Sequence, residues 1–424
     1  MFKTLRNAWA IPDLRHKMLY TLIMIFIFRL GSFIPVPGLR EGALESLLGG
    51  SGNNLFSMLD AFSGGAFANA TIFAMSITPY VNSSIIMQLL TVAIPALERL
   101  SKEGEEGRRV IAKWTRFGTV ILSFIQATGL YFALKSFVSI PGIWGYITIV
   151  MTFTAGTAFL MWLGEQITEK GVGNGISVII FSGIVSGIPS MVSQIGKNFA
   201  AGALNVWSVL AIVLVSLIMV TFVVFMDNAE RRIPVQYAKR MVGRKMYGGQ
   251  STHIPIKVAM AGVIPIIFAM SIMSFPATIM GFMGYTPGTG FWGKFWSLFT
   301  QTSWLYMVLY FLLIVFFTYF YTAIQFNPVE IANNMKRNGG FVPGIRPGRP
   351  TSEYISKILT RITLTGALFL GIVAVLPMVL SEVINYNFYA IGGSSLLIVV
   401  GVALETTKQI ESQMLMRHYK GFLE

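Results

Sequence analysis

The chain has no cysteine. That excludes a disulfide framework, a thiol nucleophile and a thiolate metal site. Histidine is almost as scarce: His16, His253 and His418 all lie outside the long apolar runs, so no metal cluster is visible. Asp, Glu, Lys and Arg together make up only 12% of the residues, about half the share found in a soluble domain. A GxxxxGK[ST] phosphate loop is missing, so any energy source must lie in a partner or in the membrane potential. These absences point away from an enzyme, and no cofactor and no metal are expected.

Apolar residues are abundant, at 54% of the chain. Runs of membrane-spanning length recur from end to end. They are too long for barrel strands, so the expected fold is an all-α polytopic membrane protein. Ten transmembrane helices are expected at roughly 18–36, 71–94, 115–135, 146–165, 174–193, 206–227, 257–281, 304–325, 358–380 and 388–405.

Charge sorts these spans by side. Lys3, Arg6, Arg15 and Lys17 precede the first span. Arg99, Lys102, Arg108, Arg109 and Lys113 follow the second, and Lys170 follows the fourth. The loop after the sixth holds Arg231, Arg232, Lys239, Arg240, Arg244, Lys245 and Lys257. The loop after the eighth holds Lys336, Arg337, Arg346, Arg349 and Lys357, and the tail holds Lys408, Arg417 and Lys420. The opposite loops carry only Arg40, Lys135, Lys197 and Lys294. By the positive-inside rule both termini are expected in the cytosol.

The expected units are residues 1–17, an amphipathic or simply basic cytosolic segment; 18–193, the first five spans; 194–405, the last five; and 406–424, a cytosolic tail. Loops 228–256 and 326–357 are longer than a helix connection needs. Their basic, Gly/Pro-rich composition suits docking of something large and acidic or RNA-like, or serves only to set topology. Five spans per half make any internal repeat an inverted one. Ile77-Thr-Pro79-Tyr-Val81 in span two matches Val263-Ile-Pro265-Ile-Ile267 in span seven, and GVGNGIS before span five matches IGGSS before span ten. Two pseudo-symmetric five-helix halves in a clamshell are the expectation.

Residues 55–94 organise the rest. Thr71 to Ile94 carries no Asp, Glu, Lys or Arg and is long enough to span as one helix. Leu55 to Phe62 is too short to span. Phe56, Leu59 and Phe62 recur near helical spacing, and Ser63, Gly64 and Gly65 then break the pattern. A short helix on a glycine hinge is either a re-entrant packing segment or a movable stopper.

The interiors of spans two to ten hold no ionisable residue. Arg29 in span one sits toward its outer end, where it can snorkel. Neither a proton relay nor a voltage sensor is visible. At ~1.5 Å per residue, Val81 lies ~15 Å into span two, with Ile77 one turn above it. Ile180 and Ile184 in span five, Ile267 in span seven and Ile398 in span ten fall near the same depth. Branched aliphatics at one level are ordinary packing, or a constriction that seals by dewetting. Thr78, Asn82, Ser83, Ser84 and Gln88, with Gln126, Ser271 and Ser274, form static polar glue or a seam weak enough to open.

FSGGAF with ITPYVNSSIIMQLL, EGEEGRR, GVGNGIS, RRIPVQYAKR with QSTHIP, and NPVEIANNMKRNGGFVPGIRPG occur in this order. On these segments the chain resembles the SecY family, the large subunits of bacterial protein-conducting channels, over essentially its whole length. The resemblance implies a pore ring of Ile77, Val81, Ile180, Ile184, Ile267 and Ile398. It implies a plug helix around Leu55, Phe56, Met58, Leu59, Phe62, Gly64 and Gly65. A lateral gate between spans two and seven would carry Asn82, Ser83, Gln126, Ser271 and Ser274. Arg346 and Arg349, with Arg231, Arg232, Lys239, Arg240, Arg244 and Lys245, would dock the SecA motor or the ribosome. SecE and SecG subunits, signal-sequence-bearing polypeptides and membrane lipids are the further partners implied. A secondary transporter would need a midplane ion site, and an ion channel a charged or carbonyl filter; the sequence displays neither.

Overall fold

Prolines set where the helices begin and bend. The computed structural model describes residues 2–40, 60, 63–140, 142–202, 205–237, 240–242, 245–247, 251–283, 303–384 and 393–420. Short helix α1 (Phe2–Ala10) is followed at once by α2 (Pro12–Gly31). Pro12 is the first residue of α2, where its missing N–H is no loss. Span one therefore starts six residues early and ends at Gly31. Helix α1 packs on the body of the protein: Ala8 is buried with Leu14, Val172 and Ile410.

The second span departs most from expectation. Helix α3 covers only Thr78–Ala93, which is ~24 Å. Residues 72–77 form turns instead of helix, and Thr71 makes an isolated bridge with Pro35. The Ile72 N–H donates to the Ile34 carbonyl (3.0 Å), and the Val36 N–H donates to the Ala70 carbonyl (2.9 Å). Pro79 explains the late start, since its ring collides with a helical carbonyl four residues upstream. Ser76, at φ 52, completes the break. At the other end Pro95 stops α3, and the chain bends by 102° into α4 (Pro95–Lys102).

The remaining helices are α5 (Glu105–Ala133), α6 (Ile143–Lys170), α7 (Gly175–Ala200), α8 (Val206–Asn228), α9 (Ile264–Met283), α10 (Trp304–Gln325), α11 (Pro328–Arg337), α12 (Arg349–Ile384) and α13 (Gly393–Lys420). Each expected span meets one of α2, α3, α5 to α10, α12 and α13. Helix α9 starts seven residues later than expected. Pro265 is its second residue, as Pro79 is the second of α3. Gly262 has φ 58 two residues before α9, just as Ser76 has φ 52 two residues before α3. The proline motif matched in sequence thus carries one backbone move at two places in the fold.

Within the first half, α3 packs on α5, α5 on α6, α6 on α7, and α2 on α6. Within the second, α9 packs on α10, α10 on α12, α12 on α13, and α8 on α13. The halves meet where α7 packs on α13 and α8, and where α9 packs on α3 and α5. Many Leu, Ile, Val and Phe side chains point outward, as on Leu214, Leu217 and Phe225 of α8, which suits lipid rather than water. Exposed Trp144 at the start of α6 and exposed Trp162 further along it stand ~27 Å apart along the helix. That matches aromatic belts at two membrane interfaces. The protein is a multi-pass membrane protein.

A small sheet, unforeseen in the sequence, stands on the face that carries the basic loops. Strand β1 (Glu230–Tyr237) pairs antiparallel with β4 (Ser251–Lys257), and β5 (Gly340–Phe341) joins the other side of β1. Strands β2 (Arg240–Val242) and β3 (Lys245–Tyr247) form a separate ladder between β1 and β4. Ile233 and Val235 point inward while Arg232, Pro234 and Gln236 point out, the period of two that a half-buried strand requires. Ile233, Val235 and Ile256 share a core with Met335, Val342, Ile355 and Leu359. The two long loops are therefore one folded unit.

Candidate functional site

The expected ring residues come from four helices. Ile77 caps the start of α3, and the Val81 N–H one turn on donates to the Ile77 carbonyl (3.1 Å). Ile180 and Ile184 lie on α7, whose first turn is fixed by Asn174; its side chain accepts from the Ile176 and Ser177 amides (3.1 and 3.4 Å). Capping of this kind is worth ~1 kcal/mol. Ile267 lies on α9 and Ile398 on α13.

All six fall in one apolar cluster. Ile77, Ile180, Ile184 and Ile398 are buried in it, and Val81 and Ile267 pack against it half-buried. Helices of both halves contribute. Such a contact excludes water and ions without any bond that must be broken to open it. Among the described residues no group of His, Asp and Glu could hold a metal ion.

The polar seam divides. Asn82 is buried on α3, and its Oδ1 has no hydrogen-bond partner. Gln126 is half-buried on α5, and Ser271 is buried on α9, the helix that meets α3 and α5 from the other half. Ser83 differs. Its hydroxyl donates to the Thr115 carbonyl of α5 (2.8 Å), so it fastens two helices of the same half. Ser274 is in α9, but its side chain lies outside the described residues.

Of the expected plug, Leu55, Phe56, Met58, Leu59 and Phe62 lie outside the described residues. Gly64 and Gly65 are described, with φ 67 and 86, a left-handed backbone that glycine adopts without penalty. Asp60 accepts from the Gly65 amide through its carbonyl (3.0 Å) and from the Ala68 amide through Oδ1 (2.7 Å). Arg29 does not snorkel. Its guanidinium donates to the Gly64 carbonyl (2.7 Å) and stands 5.1 Å from the Phe33 ring centroid. Its charge within span one was the signal for this contact. Beyond the hinge the chain is firmly held. Phe73 stacks between Phe28 and Phe159 at 6.0 and 5.9 Å. Gly156 of α6 lies so close to the Ile72 carbonyl that a side chain there would collide with it. Nothing in the sequence marked these contacts.

On the basic face Arg231, Arg232, Arg346 and Arg349 are exposed. Arg232 pairs with Glu230 (2.7 Å) and Arg349 with Glu353 (3.0 Å). Arg240 and Lys245 lie in β2 and β3, with side chains outside the described residues, as are Lys239 and Arg244 altogether.

The fold defines a class. It is similar to a solved structure described as that of a protein-conducting channel, with a TM-score of 0.66 and 18% identity over 94% of this chain and 92% of that one. A second likeness, at TM-score 0.64 and 17% identity over the same shares, is to a SecY structure whose plug domain is described as stabilising the closed state and maintaining a membrane seal. A third is to Sec61 in a canine ribosome-channel complex, with a TM-score of 0.62, 16% identity, and 94% and 92% covered. The architecture is thus the ten-helix clamshell of protein-conducting channels.

Sequence then narrows the class. The SecY family model matches residues 71–407. The protein translocase subunit SecY of Halalkalibacterium halodurans is 48% identical over the full length of both chains. That of Escherichia coli K12 is 45% identical over 98% of this chain and 95% of its own. The chain belongs to the SecY family.

Proposed function

We infer that this chain is the channel-forming subunit of a protein translocase, carrying unfolded polypeptides across a bacterial plasma membrane. The observation that supports the reading is the cluster itself: Ile77, Val81, Ile180, Ile184, Ile267 and Ile398 fall in one cluster to which helices of both halves contribute. Closed on each other they form a dry seal. Around an extended chain they act as a gasket, because aliphatic contacts do not discriminate between sequences. The segment Leu55–Ala66 is the plug and leaves the centre when a polypeptide arrives.

The seam between α9 and the pair α3 and α5 is the lateral gate. A sufficiently apolar segment leaves through it, since each Leu, Ile, Phe or Val gains ~0.3–0.6 kcal/mol at a membrane centre. Both termini are cytosolic, which puts the folded unit of β1, β4, β5 and α11 on the cytosolic face. There its arginines engage the SecA motor or the ribosome, and SecE and SecG complete the assembly. The channel is passive and not an enzyme; the motor or ribosome supplies the energy.

Reconstitution tests this reading. Purified complex in vesicles should translocate a signal-bearing polypeptide when motor and ATP are supplied, and should hold back a small labelled solute at rest. Solute flux without any polypeptide requirement would return the chain to the transporters.

A further inference from the structure

Arg29 is a cation within a helix that matches the first expected span, and such a residue asks for a functional reason. It stands in the last turn of α2, where a positive charge suits the helix dipole. That role would leave the guanidinium over the carbonyls of α2. Instead it reaches across to the Gly64 carbonyl at 2.7 Å, with the Phe33 ring on one side. Gly64 is confined there. A Cβ added to it would collide with Ser186 Oγ and lie 2.9 Å from the Arg29 guanidinium and 3.0 Å from the Gly183 carbonyl of α7. The hinge is thus wedged between α2 and α7, the helix that carries Ile180 and Ile184 of the cluster.

The chain on either side of Gly65 is held differently. Residues 66–77 are fixed by backbone pairing to residues 34–36 and by the stacked Phe73. At Gly64 the ties are the Arg29 bond, and, across the hinge, the Asp60 bond to the Ala68 amide and the Ser63 hydroxyl bond to the Phe67 amide (3.0 Å).

We propose that Arg29 is a positioning residue for gating: its guanidinium fastens the Gly64 carbonyl to α2 and so sets the threshold at which the hinge, and the closed channel, is released. The proposal rests on the channel function inferred above. A bond of this kind, with one charged partner, shifts the closed-to-open ratio by roughly tenfold to a hundredfold when lost.

The test is Arg29→Gln and Arg29→Lys in the purified complex, reconstituted in vesicles. Resting ion leak is measured, together with amide exchange over residues 63–68. Arg29→Gln should raise the leak about tenfold or more and speed exchange at the hinge, and export of a substrate with a weakened signal should improve. Arg29→Lys, which keeps the charge but loses the planar fork of donors, should fall between. A lowered Tm with unchanged leak and exchange assigns Arg29 to the packing of α2 alone and overturns the proposal. If Arg29→Gln does not accumulate, an unchanged leak and exchange in Arg29→Lys does the same. Wild-type complex that fails to translocate in these vesicles contradicts the channel reading itself, independently of Arg29.

Discussion

Replacing Ile398 by asparagine perturbs the proposed seal at a buried position. Ile398 is 2% exposed and is surrounded in the cluster by apolar side chains. Removing the buried isoleucine forfeits ~1.5–3 kcal/mol of burial. An asparagine amide held there without a partner adds a penalty of ~1–3 kcal/mol. Both apply in full only if the cluster stays dry when closed and becomes wet when open. Partial wetting of the closed state would remove about half, which leaves ~2 kcal/mol in favour of opening. At 1.4 kcal/mol per factor of ten that is a ~30-fold shift of the ratio. The assay is resting ion leak of the reconstituted complex, paired with export of a substrate whose signal sequence is weakened. Leak and export should both rise. A variant present at normal amounts, with wild-type leak and wild-type rejection of the weak signal, would show that Ile398 is ordinary packing and that the cluster is not the seal.

Gly156→Leu places a side chain against the Ile72 carbonyl. The turned segment 71–77 must then move, so the Tm of the complex should fall by an amount reflecting ~2 kcal/mol or more; an unchanged Tm contradicts the close approach. Val235→Asp puts an unpaired carboxylate into the core of the basic-face unit, where Val235 is 1% exposed. It should unfold that unit at a loss of ~3 kcal/mol or more and abolish motor and ribosome binding, while the helical body stays assembled by size-exclusion in detergent. Arg346→Ala, at an exposed position, should leave Tm unchanged yet weaken motor binding by about tenfold; equal loss in both would mean that its role is structural.

Much of this was legible in the sequence because the bilayer imposes a simple code. Apolar length located the helices. Shared depth put Ile77, Val81, Ile180, Ile184, Ile267 and Ile398 at one level but could not tell inward from lipid-facing positions; the ring came from the family resemblance, and packing brings all six into one cluster. Apolar length does not report backbone conformation, however. Residues 71–77 are as apolar as a helix but run as turns, because Pro79 and the left-handed Ser76 stop the helix and residues 34–36 supply pairing partners. The prolines were visible, yet their use as helix starts needed the partner segment. The sheet was missed for a related reason. Ile233 and Val235 alternate correctly, but the pattern is short and charged, and the core it serves comes from Met335, Val342 and Ile355, about a hundred residues away. Ser83 looked like a seam residue by position. Only packing shows that it faces α5 in its own half.

The measurement that tests the central claim most directly uses the absence of cysteine in this chain. A single cysteine is placed at Ile77 or Ile267, and another in the middle of a stalled secretory polypeptide. The account predicts a disulfide that forms only with motor, ATP and a functional signal sequence, and that does not form from lipid-facing positions such as Leu217. If the polypeptide never reaches Ile77 or Ile267 while the lipid-facing controls react equally, the path lies elsewhere and the aliphatic cluster is not the channel.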